Sequence, residues 1–311
     1  MKRRSFAAAA LLGLALSAQA QSDSPLTLVV PFPPGDALDA TARAVAEAAS
    51  QELKVPIVVD NKPGAAGFIA ADAVARSNSQ TTFLLGTTAM MSITPFVRKA
   101  PYAPSDFTPV ARIATINLVV AVSSGFPAKT WAEFVALARQ NPGKYSYASP
   151  GEGTLLHMGM EALQSTAGFK LLHVPYKGMG PALQDFLAGR IDVYSEPANI
   201  AHVKAGTARA LAVVGDARLP DLPEVPTTRD LKIAYDQAGW FGIFAPKNVP
   251  PALTARLSTA LRNAAARPEL RTRLPAGVQS AYLAGAPFAD QIRGEQDLYR
   301  KLITDLNIKL D

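Results

Sequence analysis

The 311-residue chain contains no cysteine. This absence excludes disulfides, thiolate metal sites and a lipid-modified N-terminal cysteine. The chain also has only three histidines, His157, His173 and His202, at irregular spacing. A histidine-based metal site would need them to converge with carboxylates from distant segments, so the spacing does not favour one. We therefore expect no metal site.

Sequence motifs of catalysis are also missing. The chain has no Gly-x-Ser-x-Gly elbow and no phosphate-loop lysine motif, and Gly151-Glu152-Gly153 lacks the third glycine of a dinucleotide-binding loop. These absences favour a protein that is not an enzyme. A Ser-His-Asp site assembled from distant segments stays open, and turnover of the bound molecule would reveal it.

The chain carries little net charge. Its formal charge is +6, and without the first twenty residues 28 basic residues remain against 25 acidic ones, which gives +3. The basic residues are scattered singly, with aromatic residues rarely between them. A nucleic-acid surface needs clustered positive charge, so we expect no nucleic-acid partner.

The N-terminus has the pattern of a signal peptide. Lys2-Arg3-Arg4 precedes an apolar stretch over residues 6–16, and Ala18-Gln19-Ala20 follows. We predict a cleavable signal peptide over residues 1–20 and export to the periplasm. The apolar stretch is shorter than the about 20 residues that span a bilayer, which makes a retained membrane anchor the weaker alternative.

The mature chain predicts two α/β domains. About 290 residues remain after cleavage, and the usual domain size of about 150 residues divides them into two. Short β-rich runs such as residues 26–32 alternate with helical patterns, which predicts mostly parallel sheets. We expect the helices near residues 253–265 and 288–306 to pack back on the first domain.

Two glycine-bearing turns each follow a predicted strand and precede an amphipathic helix. The first is Pro33-Pro34-Gly35-Asp36, and the second is Ser149-Pro150-Gly151-Glu152-Gly153-Thr154. A strand, a glycine turn and a helix start in that order place unpaired backbone N–H groups and the positive end of the helix dipole at one point. Each turn is therefore a candidate seat for a carboxylate or a phosphate, and the two could close on one small acid.

Several longer motifs are distributed along the whole mature chain. They are Val29-Val30-Pro31-Phe32-Pro33-Pro34-Gly35, Val58-Val59-Asp60-Asn61-Lys62-Pro63-Gly64-Ala65, Asp106-Phe107-Thr108-Pro109-Val110, His173-Val174-Pro175-Tyr176-Lys177-Gly178, Leu222-Pro223-Glu224-Val225-Pro226-Thr227 and Trp240-Phe241-Gly242. Together they resemble the Bug family, the extracytoplasmic solute receptors (substrate-binding proteins) of tripartite tricarboxylate transporters.

The resemblance implies a periplasmic binding protein of type II, the Venus-flytrap fold, whose two α/β lobes are joined by a hinge of two crossings. Here the lobes would be residues 22–119 with 239–311, and residues 120–238. It implies capture of a small organic solute, commonly a carboxylate, and delivery to the membrane permease subunits. It implies no cofactor, and we expect a monomer. Two alternatives are a periplasmic co-receptor of a two-component sensory system and, less favoured, a secreted enzyme acting on a small acid.

In this family the loop after the first strand and the glycine-threonine loop of the second lobe hold the two ends of the ligand. The candidate ligand-binding residues are accordingly Phe32, Pro34, Gly35, Asp36, Asp39, Thr87, Ser149, Gly151, Gly153, Thr154, Tyr176, Ser195 and Glu196. Each also has a structural interpretation. Asp39 can be a helix-start acid, Thr154 can be a helix cap, and the ring of Tyr176 can pack in the core.

The acids near this presumed cleft bear on the solute. Asp36 stands where the family usually has a second glycine, and we expect Glu152 and Glu196 in or near the same cleft. Three acids weaken the case for a tricarboxylate and favour a neutral, amine-bearing or monocarboxylate solute. The alternative is that all three side chains point to solvent and leave the backbone seats intact.

Overall fold

Two β-sheets organise the fold. The computed structural model describes residues 24–176, 179–197, 199–305 and 308, so the predicted signal peptide lies outside the described residues. In chain order the strands are β1 (Leu26–Val30), β2 (Ile57–Asn61), β3 (Thr82–Thr87), β4 (Phe107–Ile116), β5 (Val119–Ser123), β6 (Ser146–Ser149), β7 (Leu172–Pro175), β8 (Val193–Ser195), β9 (Ala208–Val213), β10 (Gly239–Pro246) and β11 (Val278–Ala284).

Helices cover both sheets. In chain order they are α1 (Ala37–Leu53), α2 (Phe68–Ala75), α3 (Thr94–Val97), α4 (Trp131–Gln140), α5 (Leu155–Ala167), α6 (Met179–Leu187), α7 (Asn199–Lys204), α8 (Pro251–Ala266), α9 (Pro268–Arg273) and α10 (Gly285–Asp305). A π-helical turn, Ala89–Ile93, follows β3. Among the described residues, none of these helices combines the length and the apolar character that crossing a membrane requires.

The first sheet has the strand order β11-β4-β10-β3-β1-β2, and the second has the order β7-β6-β8-β5-β9. The α/β fold class is confirmed. Within the described residues, however, the sheets are mixed rather than mostly parallel, since four of the nine strand pairings there are parallel and five are antiparallel. The physical reason is the chain path. It leaves the first sheet along β4 and returns to it along β10, so these two neighbours must run in opposite directions.

The chain passes between the sheets at two places. Asn117 and Leu118 join β4 to β5, and the segment after β9 leads back to β10, whose first residue, Gly239, pairs with Ile116. The first sheet takes its strands from residues 26–116 and 239–284, and the second takes its strands from residues 119–213. The division into lobes of residues 22–119 with 239–311 and 120–238 stays a prediction. Movement of these two parts as separate lobes stays a prediction.

The core divides between the sheets, with one shared helix. Helix α8 packs against α1 and the first sheet, as expected. Helix α10 does so only with its first half, where Phe288 packs beside Trp240. Its second half, through Tyr299, Leu302 and Ile303, belongs to the core of the second sheet. The expectation that this helix packs on the first domain is therefore wrong for its second half.

Candidate functional site

Strand direction brings the candidate residues to one junction. The chain runs along β4 toward the second sheet and returns along β10, so β10 starts at the junction. Strand β3 pairs antiparallel with β10, and β1 pairs parallel with β3. Both β1 and β3 therefore end at the junction. The loop from Phe32 to Asp39 follows β1, and Thr87 is the last residue of β3.

The second sheet meets the junction in the same way. Strand β5 starts there, β8 pairs antiparallel with β5, and β6 and β7 run parallel to β8. All three strands therefore end at the junction, which places there the loop from Ser149 to Thr154, Tyr176 after β7, and Ser195 with Glu196. Ligands in α/β proteins bind beyond the carboxyl ends of such strands. All thirteen candidate residues thus lie on the two facing edges.

One contact shows how close these edges come. A Cβ atom placed on Gly239 would lie 2.5 Å from Cδ2 of Leu155, the first residue of α5. The start of α5 therefore touches the start of β10, beside the end of β3. Thr154, the last residue of the second glycine turn, directly precedes Leu155.

The first glycine turn is held by a buried acid. The Asp39 carboxylate accepts a hydrogen bond from the backbone N–H of Gly35 at 2.9 Å, from Nε of Arg43 at 2.9 Å and from Nδ2 of Asn61 at 2.9 Å. Nδ2 of Asn61 also donates to the carbonyl oxygen of Phe32 at 3.0 Å. Asp39 is therefore the helix-start acid of the structural interpretation, and it fixes the loop.

Electrostatics at this turn follow from those bonds. Burial raises the pKa of Asp39, but the hydrogen bonds from Arg43, Gly35 and Asn61 outweigh burial and lower that pKa to about 2. Asp36 caps α1 by accepting from the N–H of Asp39 at 2.8 Å, and its pKa is raised chiefly by burial. The side chains of the protein thus already occupy two N–H groups of this predicted anion seat.

The second glycine turn is also closed by its own side chains. Oγ1 of Thr154 donates to the carbonyl oxygen of Gly151 at 2.7 Å and caps α5 by accepting from the N–H of His157. Oγ of Ser149 accepts from the N–H of Gly151 at 3.1 Å. The N–H of Gly153 donates to Nδ1 of His157 at 3.1 Å. Thr154 therefore serves as a helix cap within the loop.

Two stacked histidines contact this turn. The ring of His157 stacks on the ring of His173 with centroids 4.1 Å apart, and His173 stacks on Tyr147. Nε2 of His173 lies 2.7 Å from Oγ of Ser149, and the Tyr147 hydroxyl donates to Glu161 at 2.6 Å. Burial lowers the pKa of both histidines to about 4, and for His173 the neighbouring His157 lowers it further. Neutral imidazoles therefore shape the loop.

The remaining candidates have varied partners. The hydroxyl of Tyr176 donates to Asp185 at 2.7 Å, so this phenol has a partner within the protein. Oε2 of Glu196 accepts from the hydroxyl of Tyr194 at 2.6 Å. Oγ1 of Thr87 accepts a long bond of 3.4 Å from the N–H of Met90. Ser195 is buried, and among the described residues its hydroxyl has no hydrogen-bond partner.

Asp36, Glu152 and Glu196, the three acids near the presumed cleft, are called the rim acids, and they differ in what they contact. Asp36 and Glu196 accept hydrogen bonds from the protein itself, whereas Glu152 is exposed. In the described part of the chain, no group of three or more histidine or acidic side chains is arranged to hold a metal ion. The geometry therefore presents backbone and hydroxyl groups with a few occupied acids.

Cavity size alone would not have located this site. A cavity of about 650 Å³ lies between α1 and β2, and another of about 490 Å³ lies between segments 218–221 and 271–280. None of the thirteen candidate residues lines either cavity. The facing strand ends, rather than enclosed volume, define the site.

The sequence interpretation missed three supporting residues. Asn61 joins β2 to the first turn, and His157 and His173 support the second. Asn61 stands in the motif Val58-Val59-Asp60-Asn61-Lys62, immediately before a proline-glycine turn, so its position at a strand end was a signal. The two histidines are 16 residues apart, and although His173 opens the motif His173-Val174-Pro175-Tyr176-Lys177-Gly178, no sequence pattern links it to His157.

Comparison with known proteins shows which family model and which relatives the chain matches. A family model described as "Tripartite tricarboxylate transporter family receptor" matches residues 41–308. A Pseudomonas sp. (strain P51) protein, "UPF0065 protein in tcbD-tcbE intergenic region", is 35% identical over 99% of this chain and 95% of its own length. "Protein BugT" of Bordetella pertussis is 30% identical over 83% of this chain and 82% of its own length.

Solved structures share the fold. The structure "R. palustris Rpa4515 with adipate" superposes with a TM-score of 0.76 at 29% identity, covering 92% of this chain and 98% of the other. The structure of MatC from Rhodopseudomonas palustris with bound malate superposes with a TM-score of 0.70 at 26% identity, covering 90% and 99%. Two similar proteins of this fold therefore hold small carboxylates.

Proposed function

From the premise that this chain belongs to the tripartite tricarboxylate transporter receptor family, we propose that it is a periplasmic receptor for a small carboxylate. The Bug-family resemblance read from the sequence is confirmed by that membership. The family and the solved neighbours are receptors and binding proteins rather than enzymes. We further propose that the receptor delivers its solute to the membrane subunits of a tripartite tricarboxylate-type permease.

The observation that carries this proposal is the meeting of five strand ends at one junction. The ends of β1 and β3 face the ends of β6, β7 and β8, and the start of α5 touches β10. A solute between these edges contacts both parts of the protein at once. Closure of the two parts is then favoured by the contacts that form only in the closed state.

The charge distribution favours a carboxylate of low charge. Asp36 and Glu196 at the rim already accept hydrogen bonds from the protein, and Asp39 is paired with Arg43. Their negative charge still opposes a highly charged anion between the two edges. Adipate and malate, which two similar proteins hold, carry one carboxylate fewer than citrate. We propose a mono- or dicarboxylate as the solute.

A thermal-shift series tests this function. Adipate, malate, citrate and adipamide, the neutral diamide of adipate, are each added to the mature protein. A ligand that binds only the folded state raises the melting temperature by mass action. We expect adipate or malate to raise it by several degrees, with little effect from citrate and none from adipamide. Mass spectrometry of solute released by gentle denaturation identifies any carboxylate retained from the cell.

The proposal fails if none of the carboxylates stabilises the protein and no carboxylate is released. It also fails if adipamide stabilises as strongly as adipate, because recognition would then not depend on a carboxylate. Largest stabilisation by citrate would overturn the argument from the rim acids.

A further inference from the structure

Helix α10 connects the cores of the two sheets. In its first half, Phe288 packs edge-on against Trp240 of β10, with ring centroids 4.7 Å apart. In its second half, Tyr299 and Leu302 belong to the core of the second sheet. A rotation of one sheet against the other must therefore bend α10 or displace one of its two packed halves.

A buried carboxylate lies between those halves. Glu295 is 1% exposed. Oε2 accepts from Oγ of Ser92 at 3.0 Å and from Nε1 of Trp240 at 2.8 Å, and Oε1 accepts from Nε2 of Gln291 at 2.8 Å. Removing a carboxylate from water is costly, so it is retained only where several hydrogen bonds offset that cost. The bonds from Ser92 and Trp240 tie α10 to the π-helical turn after β3 and to β10, whereas Gln291 lies on α10 itself.

Both of those elements lead directly to the candidate site. Ser92 lies in the π-helical turn that follows Thr87 at the end of β3. The backbone N–H of Trp240 donates to Oγ1 of Thr88 at 2.8 Å. A second bond, from Nε2 of Gln296 to the carbonyl oxygen of Met91 at 2.8 Å, also joins α10 to this turn. Glu295 thus contacts the segment that follows Thr87 directly, through Ser92.

The second half of α10 is held differently. Tyr299 and Tyr235 are buried, and their hydroxyl oxygens lie 3.2 Å apart. This half also contacts Phe96 through the guanidinium of Arg300, 4.7 Å from the ring centroid, and its Leu302 and Ile303 make apolar contacts in the core of the second sheet. Apolar contacts are not directional, so they tolerate sliding better than a buried carboxylate tolerates loss of its donors.

We propose that Glu295 is a positioning residue that locks α10 to the first sheet and thereby fixes the site-forming end of β3. The second half of the helix is then the surface on which the second sheet turns, so the hinge has a third connection besides the two chain crossings. This inference rests on the proposed function, because a hinge matters only if the two parts close on a solute.

The test compares three variants of the mature chain. Glu295→Gln keeps the size of the side chain but has only one acceptor oxygen. The two carboxylate oxygens of Glu295 accept hydrogen bonds from three side chains. Ser92→Ala removes a single bond of the network and guards against misfolding of the first variant. Asp297→Asn is the matched control, because it removes a carboxylate from an exposed position of the same helix.

Hydrogen exchange without any solute is the first measurement. Loss of about 1.4 kcal/mol from the local contacts corresponds to a tenfold change, so amides in residues 88–93 should exchange about tenfold faster in Glu295→Gln and measurably faster in Ser92→Ala. Asp297→Asn should exchange like the unaltered protein. Equal exchange in Glu295→Gln and Asp297→Asn would overturn the inference.

Distances between the two sheets are the second measurement. The chain has no cysteine, so Ala136→Cys on α4 and Arg262→Cys on α8, both exposed, accept one spin label each. We expect Glu295→Gln to broaden the solute-free distance distribution, and an unchanged distribution would overturn the inference. Adipate and malate are then added to the labelled protein that carries neither network variant. If neither changes the distances, the proposed function fails, while the solute-free comparison still decides the role of Glu295.

Discussion

The carboxylate of Asp39 accepts a hydrogen bond from the backbone N–H of Gly35 at 2.9 Å. The acid is the third residue of α1, and the glycine lies in the loop before that helix. The helix therefore holds its own entry loop in place, with Asn61 of β2 bonded to both. Asp39, a candidate ligand-binding residue in the sequence analysis, thus holds the loop in place through its side chain.

Replacing Asp39 with alanine should destabilise the protein strongly. The change leaves the N–H of Gly35 and the amide of Asn61 without their acceptor and removes the partner of Arg43. An unpaired buried group costs about 1–3 kcal/mol, so we expect a loss of about 2–4 kcal/mol in the free energy of unfolding. Urea unfolding followed by circular dichroism measures it.

Asp72→Ala is the matched control. Asp72 pairs with Arg76 at the same four-residue spacing on α2, but its side chain is 30% exposed, whereas that of Asp39 is 4% exposed. Exposed pairs of this kind contribute less than about 1 kcal/mol. Equal losses in the two variants would show that Asp39 has no special role in the loop.

Gly35→Ala should separate loop geometry from solute contact. Gly35 has a φ of +92°, and no atom lies within 4 Å of a Cβ placed there. A side chain in this left-handed region costs about 1–2 kcal/mol. The added methyl group would stand in the open space of the junction, so affinity for adipate or malate, measured by titration calorimetry, should fall at least about tenfold, which corresponds to about 1.4 kcal/mol.

The control for this change is Gly143→Ala. Gly143 has a φ of +73°, again with no atom within 4 Å of a Cβ, and it precedes the start of β6, at the edge of the sheet away from the junction. It should lose similar stability and keep its affinity. If both variants bind equally well, the first glycine turn does not contact solute.

Local patterns predicted the elements but not the direction in which they pair. The alternation of β-rich runs and helical periodicity was sufficient for the α/β class. Mostly parallel sheets were wrong because the direction of β10 depends on the chain returning from the second sheet. No residue within β10 encodes that route.

The site shows the same division between local and distant information. The turns at Gly35 and Gly151 could be predicted because glycine, proline and a helix start have a local pattern. The partners of those turns could not. Asn61 meets Asp39 across 22 residues, and His157 meets His173 only because β6 and β7 pair side by side. The double packing of α10 is likewise a property of the whole fold.

Tyr176→Phe tests a candidate whose hydroxyl already has a partner. The phenol donates to Asp185 at 2.7 Å, and burial together with that carboxylate raises the pKa of Tyr176 to about 12. Removing the hydroxyl should therefore change the affinity for adipate or malate by less than about threefold, which is below 1 kcal/mol. Calorimetric titration measures it. A tenfold loss would mean that the phenol turns from Asp185 to the solute on binding.

The stacked histidines predict a stability that depends on pH. In the folded protein His157 and His173 each have a pKa of about 4, against 6.5 for an unperturbed histidine. Between these values the unfolded chain binds protons that the folded chain does not. Stability from this pair is therefore complete above about pH 6.5 and is lost as the pH falls to about 4. From pH 7 to pH 5 the loss is about 2 kcal/mol for the buried His157, and solvent screening makes it somewhat smaller for the less buried His173.

His157→Asn isolates one of the two groups. The asparagine oxygen stands close to where Nδ1 accepts from the N–H of Gly153, so the loop keeps that bond while losing a titrating ring. Urea unfolding at pH 7 and pH 5 should show about half the pH dependence of the unaltered protein. His202→Asn is the control, because His202 lies on α7, outside the stack, and should leave the dependence unchanged. If His157→Asn keeps the full pH dependence, the histidine stack is not the source of that dependence. Asp39 would not be its source either, because the stability that Asp39 contributes is lost only between about pH 4 and pH 2.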